Sequence, residues 1–252
     1  MNEDYDLLKK RFRELAEKSY NGCYFTFTDF LGLMEQSAFA EISNSLRGYA
    51  YTRWGGADGA ERVMIRFGDP DEIGYNADFP IACIKIEPIA PKFADKLTHR
   101  DFLGALINLG IERSTLGDIV IRDNVGYLFA KEDIAEFIAG ELSRIKRTDV
   151  TASVIDEAPS GELYRTEEKR IQLTGERLDA VIAKVYSLSR DDAQSLFKKH
   201  LVYVNGKLCD STSFSPREND KISVRGCGRF IYIGCDGLSR KGKLNTKVLI
   251  YV

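Results

Sequence analysis

The sequence predicts an α+β protein: a helical N-terminal segment, a βαββαβ middle domain, and a C-terminal domain of two short helices and several strands. Three observations carry this. Apolar residues recur at helical spacing near the start of the chain. Between about residues 80 and 155, strand-like and helix-like runs follow one another in the order β-α-β-β-α-β. Beyond about residue 170, two helical stripes lead into short alternating runs joined by Asn-Gly and Asn-Asp turns.

Tyr5, Leu8, Phe12, Leu15 and Ala16 give the opening helix one apolar stripe, with Lys9, Lys10, Arg11 and Arg13 between them. A second helix is expected to start near Thr28 and to run through Phe30, Leu33, Met34 and Phe39. Gly55-Gly56-Ala57-Asp58-Gly59 breaks that pattern. It lacks both GxGxxG spacing and the Lys-Ser/Thr of a phosphate loop, so it is read as a connector. Gly68-Asp69-Pro70-Asp71 is turn chemistry.

In the middle, Ile81 to Glu87 is a strand-like run. Thr98 caps a helix carrying Phe102, Leu103, Leu106, Ile107 and Leu109, and Gly110 ends it. Asp118 to Arg122 and Val125 to Ala130 are short strands, with Asp123-Asn124 as a two-residue hairpin turn. Lys131 to Arg144 is a helix with Ile134, Phe137, Ile138 and Leu142 on one face, and Val150 to Ile155 is a last strand. This is the pattern of a split-βαβ, ferredoxin-like (RRM-like) sheet. Tyr127 and Phe129 share a face, which is read as core more than as a base-stacking platform.

Ala158 to Glu162 breaks regular structure and is read as a linker. After it, Leu178, Val181, Ile182 and Val185 fall at i, i+3, i+4, i+7, with Thr174 as the expected cap. Ser189 caps a second helix, with Asp192 three residues on and Ala193, Leu196 and Phe197 as its buried stripe. Val202 and Val204 form a strand that Asn205-Gly206 turns, and Ile222 and Val224 form another after Asn219-Asp220.

The formal net charge of -2 hides an asymmetry. Residues 166–252 hold 16 Lys/Arg against 10 Asp/Glu, whereas residues 1–165 hold 20 against 28. An acidic body with a basic end suggests a polyanion partner for that end. Its apolar side packs, and its other side is expected to collect Arg177, Arg190, Lys198, Lys199, Lys207, Arg225 and Arg229. Arginine forks match phosphate geometry, and the helix start at Ser189 offers free N–H groups to an anion. Duplex RNA, read by shape and backbone, suits such a surface.

Five cysteines without a CxxC, and only His99 and His200 beside them, assemble no zinc-ligand spacing. No metal and no cofactor is expected. The cysteines fit small buried residues in a reducing cytosol. The acidic start is wrong for a signal peptide, and no apolar run approaches the ~20 residues of a membrane span. A cytoplasmic location without membrane partners is expected.

Arg177-Leu178-Asp179, Ser189-Arg190, Val204-Asn205-Gly206 and Asp220, followed by Ile222, Val224, Arg225, Gly226, Gly228, Arg229 and Phe230, resemble the S-four (αL) RNA-binding domain. His200 and Asn219 stand where that family usually has glycine, and both tolerate positive φ. The resemblance implies RNA binding through Arg177, Ser189, Arg190, Lys198, Lys199, Asn205, Lys207, Arg225 and Arg229. The whole chain is similar to the YlmH family, as in Gly55-Gly56, Gly59-Ala60-Glu61-Arg62 and Leu116-Gly117-Asp118-Ile119. That resemblance implies a non-catalytic monomer binding rRNA and tRNA on the large ribosomal subunit with peptidyl-tRNA. It also implies a role in ribosome-associated quality control, where stalled chains are extended with alanine, and further quality-control factors as partners. The expected divisions are 1–75 helical or mixed, 76–157 ferredoxin-like, 158–168 linker, 169–235 S-four and 236–252 C-terminal extension. Two other readings remain: an RNA-modifying enzyme that binds substrate through the S-four domain, and a cell-division scaffold. The enzyme would need a catalytic body in residues 1–165, where no GxGxxG turn, metal set or activated nucleophile pair is found.

Overall fold

In the computed structural model, residues 2–156, 159, 163–239 and 242–251 are described, residues 2–4 by backbone alone. Of the expected linker, residues 158 and 160–162 lie outside the described residues. The chain forms two compact units, Met1–Leu163 and Tyr164–Val252. It is a mixed helix and antiparallel-sheet protein. No helix among the described residues is long and apolar enough to cross a membrane.

The first unit opens with α1 (Asn2–Gly22), β1 (Thr26–Phe27), α2 (Leu33–Ile42), β2 (Tyr51–Trp54), β3 (Met64–Phe67) and the single turn α3 (Pro70–Ile73). The strands form an antiparallel sheet in the order β1-β3-β2. Phe12, Leu15 and Ala16 of α1 pack on Phe39, Ile42, Ile65 and Phe67. The second helix begins at Leu33, later than the expected Thr28. Phe25-Thr26-Phe27-Thr28 alternates strand-forming residues, and the Thr28 hydroxyl accepts from Ile65 N at 2.9 Å, holding the segment extended.

The same unit continues with β4 (Ile81–Pro88), α4 (His99–Asn108), β5 (Leu116–Arg122), β6 (Val125–Lys131), α5 (Glu132–Glu141), β7 (Arg144–Ile145) and β8 (Thr148–Ile155). The strand order is β5-β6-β4-β8-β7. Thr98 and Asp101 form the capping box of α4. Asp123 and Asn124 both have positive φ, 48° and 67°, as a tight hairpin with right-handed twist requires. Ile84, Ile86 and Leu128 meet Phe102, Leu106 and Ile138 in one helix-side core. The last helix stops at Glu141, short of Arg144. Arg144 and Ile145 instead pair back on Asp149 and Thr148. The buried stripe of α5 includes Ala135 and Ile138 and runs on to Leu142, and the expected core residue Phe137 is 52% exposed.

On the opposite sheet face Phe129 is buried, as its spacing suggested. Gly56, at φ +94°, passes so close that a Cβ there would lie 2.2 Å from the Phe129 ring. The two stretches that resembled the YlmH family touch one another. The Asp118 carboxylate accepts from Glu61 N at 2.7 Å and Arg62 N at 3.0 Å. Arg62 in turn donates to the carbonyls of Leu116, Phe30 and Arg113 at 2.7, 3.0 and 2.9 Å. Burial, with Arg113 nearby, pushes Arg62 down to about 10, so it stays charged at neutral pH.

The second unit comprises β9 (Thr166–Leu173), α6 (Leu178–Val185), α7 (Arg190–Lys198), β10 (Val202–Val204), β11 (Lys207–Leu208), β12 (Asp220–Val224), β13 (Gly228–Leu238) and β14 (Leu244–Tyr251). Their order in one antiparallel sheet is β11-β10-β12-β13-β14-β9. Residues 244–251, expected as part of an extension, are therefore a strand paired on both sides, and Thr166–Glu168, expected as linker, already pair with it. Leu178, Val181, Ile182, Phe197, Phe230 and Val248 lead a core in which each fully buried aliphatic or aromatic side chain contributes roughly 1.5–3 kcal/mol. Asn205, His200 and Asn219 all adopt positive φ, at 51°, 54° and 68°. Thr174 does not cap α6. The cap position is Arg177, and the carbonyls of Phe214 and Thr212 take the N–H groups of Leu178 and Asp179 at 2.8 and 3.3 Å. Cys83 and Cys209 are buried, but Cys23, Cys227 and Cys235 are exposed, contrary to expectation.

Candidate nucleic-acid interface

The second unit concentrates its organised charge where α6 and α7 begin. Asp179, in the first turn of α6, is fully buried. Arg177 grips it with a two-pronged fork, Nε to Oδ1 at 3.0 Å and Nη2 to Oδ2 at 2.9 Å. Gln194 of α7 donates at 3.1 Å and Ala180 N at 2.9 Å. Arg190 Nε lies 3.9 Å from the same carboxylate. One buried carboxylate thus orients two arginines from two helix starts, while Arg177 and Arg190 keep 43% and 65% of their side chains exposed. Burial raises the Asp179 carboxyl, but donation from Arg177 and Gln194 outweighs it and holds the group below the usual aspartate range. The hydrogen bond to Asp179 raises Arg177.

Ser189 caps α7, accepting from Asp192 N at 3.1 Å and donating to the Asp192 carboxylate at 2.6 Å. That hydroxyl is committed to the helix. Lys198 and Lys199 stand exposed at the far end of α7, where their charge also complements the helix dipole. Lys207 is exposed on the edge strand β11. Asn205 is spent on the turn: its amide donates to Asp220 at 2.7 Å and its oxygen accepts from Lys221 N at 2.9 Å.

Arg225 and Arg229 belong elsewhere. Phe230 and Tyr232 point into the helix-side core, so Arg229 points from the other face of the sheet. There it follows Tyr203 and Ser223 across the register. Its guanidinium lies 4.1 Å from the Tyr251 ring centre and 4.8 Å from that of Tyr164. Arg225 stacks 5.6 Å from Tyr203. The expected single basic side is therefore two groups: Arg177 and Arg190 on the helix side, Arg225 and Arg229 on aromatic rings behind the sheet. Sequence reasoning missed the organising role of Asp179 and Gln194 and the two tyrosines that hold Arg229. The only available signal was Asp179 inside an otherwise apolar stripe.

No group of three or more His, Cys, Asp or Glu among the described residues could hold a metal ion. Guanidinium groups held in a fixed orientation and left half-exposed have the fork geometry that matches phosphate oxygens. Residues 75–158 match the family model described as "Putative RNA-binding domain in YlmH". The chain is 31% identical over 228 residues to "Ribosome-associated protein quality control protein P2" of Bacillus subtilis (strain 168), covering 86% of this chain and 83% of that protein. The chain belongs to the YlmH family. A solved structure, "Cell division protein ylmH from Streptococcus pneumoniae", aligns with 60% of this chain and 91% of its own at 22% identity and a TM-score of 0.47.

Proposed function

We propose that this protein is a non-catalytic, cytoplasmic RNA-binding factor of ribosome-associated quality control. It holds rRNA and tRNA on the large ribosomal subunit at peptidyl-tRNA. The observation that carries the reading is the pair Arg177 and Arg190, fixed on the buried Asp179 and left half-exposed. The quality-control name of the Bacillus subtilis relative supports the setting. In this reading residues 76–157 are a ferredoxin-like domain, supported by the β-α-β-β-α-β chain order and the β5-β6-β4-β8 strand order. Residues 169–235 are an S-four domain, supported by the two capped helices and the positive-φ turns at His200, Asn205 and Asn219. Strands β9 and β14 complete its sheet.

Sucrose-gradient sedimentation of tagged protein from lysate tests this. Wild type should travel with large subunits and detach as salt rises, since each phosphate contact releases counterions. Arg190→Ala should reduce co-migration severalfold with the fold intact, and Arg229→Ala tests the rear group separately. Wild-type protein that stays at the top of a low-salt gradient would refute the ribosomal reading.

A further inference from the structure

Between β4 and α4 the first unit turns apolar side chains into solvent. Phe93 is 90% exposed, the most of any large apolar residue among the described residues, and Ile89 of the same loop is 66% exposed. Phenylalanine is ordinarily buried. The exposure does not come from a slack loop, because both of its ends are pinned. Ile89 N donates to the Asp149 carbonyl at 3.0 Å, and Asp95 N donates to the Thr148 hydroxyl at 3.0 Å. The Asn124 amide donates to the Asp95 carbonyl at 2.9 Å, and its oxygen accepts from Leu97 N at 2.8 Å. Pro91 and a bond from Phe93 N to the Ala90 carbonyl at 3.0 Å tighten the tip. A fixed backbone therefore presents the Phe93 ring.

The same hydrogen bonds set the loop beside the β7–β8 hairpin, whose turn is Lys146-Arg147. Lys92 and Lys96 flank Phe93, and Arg100 follows in the first turn of α4. Arg144 and Lys146 meet Asp149 and Asp101 at 3.8 and 3.4 Å. Lys92, Lys96, Arg100 and Arg147 are exposed and have no ion-pair partner among the described residues. Against them stand only the carboxylates of Asp95 and Asp123. This end of the sheet thus carries a surplus of positive charge around one uncovered ring.

Lysine and arginine attract phosphates, and an exposed ring stacks on the face of any accessible base. Duplex RNA keeps its bases stacked inside, so ring and cations act together only on an unpaired strand. An apolar protein surface would use the ring but not the cations. The open face of the same sheet is a poorer RNA platform: Phe129 is buried there under Gly56, and Lys85 is engaged by Glu87.

We infer that the loop from Ile89 to Lys96, with the Lys146-Arg147 turn beside it, binds unpaired RNA and stacks the Phe93 ring on a base. This rests on the RNA-binding reading above and adds to it a contact that the arginines of α6 and α7 do not make.

The full chain is titrated, by fluorescence anisotropy, into a labelled unpaired RNA and into a labelled RNA duplex of the same length. Phe93 lies outside the core, so replacing it leaves the fold intact. Phe93→Ala should weaken binding of the unpaired RNA about tenfold and of the duplex less than about twofold. Phe93→Leu keeps apolar surface without the ring and should lose as much as alanine, whereas Phe93→Tyr should bind like wild type. Replacing Lys92 and Lys96 together by glutamine should flatten the salt dependence of unpaired-RNA binding. Unchanged binding of unpaired RNA by Phe93→Ala overturns the inference, as does an equal loss for the duplex. Full retention in Phe93→Leu also overturns it and assigns the loop to an apolar pocket on a protein partner. If wild type co-sediments with large subunits while Phe93→Ala changes nothing, only this site has failed. If Phe93 governs unpaired-RNA binding but wild type stays off the ribosome, the site stands and the ribosomal reading has failed.

Discussion

Asp179→Ala should destabilise the second unit by about 3 kcal/mol, the low end of what breaking a buried ion pair costs. The low end applies because Arg177 is half-exposed and can rehydrate once released. The loss includes donation from Arg177, Gln194 and Ala180 N to one carboxylate. Urea unfolding followed by circular dichroism checks it, and a change under 1 kcal/mol would show that the carboxylate is not a keystone. A pH dependence follows from the same group. Its folded-state pKa is depressed, so its contribution is fully present above the ordinary aspartate pKa. It is lost as pH falls through the lower folded value. Asp179→Asn should flatten that acid limb, and an unaltered limb would assign acid sensitivity to other carboxylates.

Arg62→Ala should cost the first unit about 3 kcal/mol, because three carbonyls from separate segments lose their donor in a mostly buried setting. Arg62→Lys should rescue little, since an ammonium cannot reproduce a planar fork that reaches the carbonyls of Phe30, Arg113 and Leu116. The emission of Trp54 isolates this unit in a urea titration, avoiding the assumption that two units unfold as one. Full rescue by lysine would contradict the geometric argument.

Local chemistry explains which elements were legible in the sequence. Ser189 with Asp192, Thr98 with Asp101, and Asn205-Gly206 each act within a few residues, and each forms its cap or turn. The four-residue strands β2 and β3 do not show in the sequence because their partners lie ten or more residues away and β3 is buried along its length, leaving no alternation. The cap of α6 was misassigned because the carbonyls that replace Thr174 come from Thr212 and Phe214. The grouping of basic residues onto one side failed for Arg225 and Arg229. A strand's two faces alternate, and the helices claim only one of them. The organising carboxylate of Asp179 was named in the motif but not recognised as buried, because nothing in a residue's type announces that its charge is compensated.

The sheet of the second unit has a consequence for how it assembles. Strand β9 pairs only with β14 among the described residues, and the two come from opposite ends of the unit. Helices α6 and α7 and the pairings among β10, β12 and β13 join nearer segments and can form early. Docking β9 through β14 must wait for a long chain closure, which topology makes slow. Tyr251, the last residue of β14, and Tyr164, two residues before β9, are the rings that hold Arg229. The rear arginine therefore meets the Tyr251 ring through the nearby β13–β14 pairing, and gains the Tyr164 ring only when the β9 end of the unit docks.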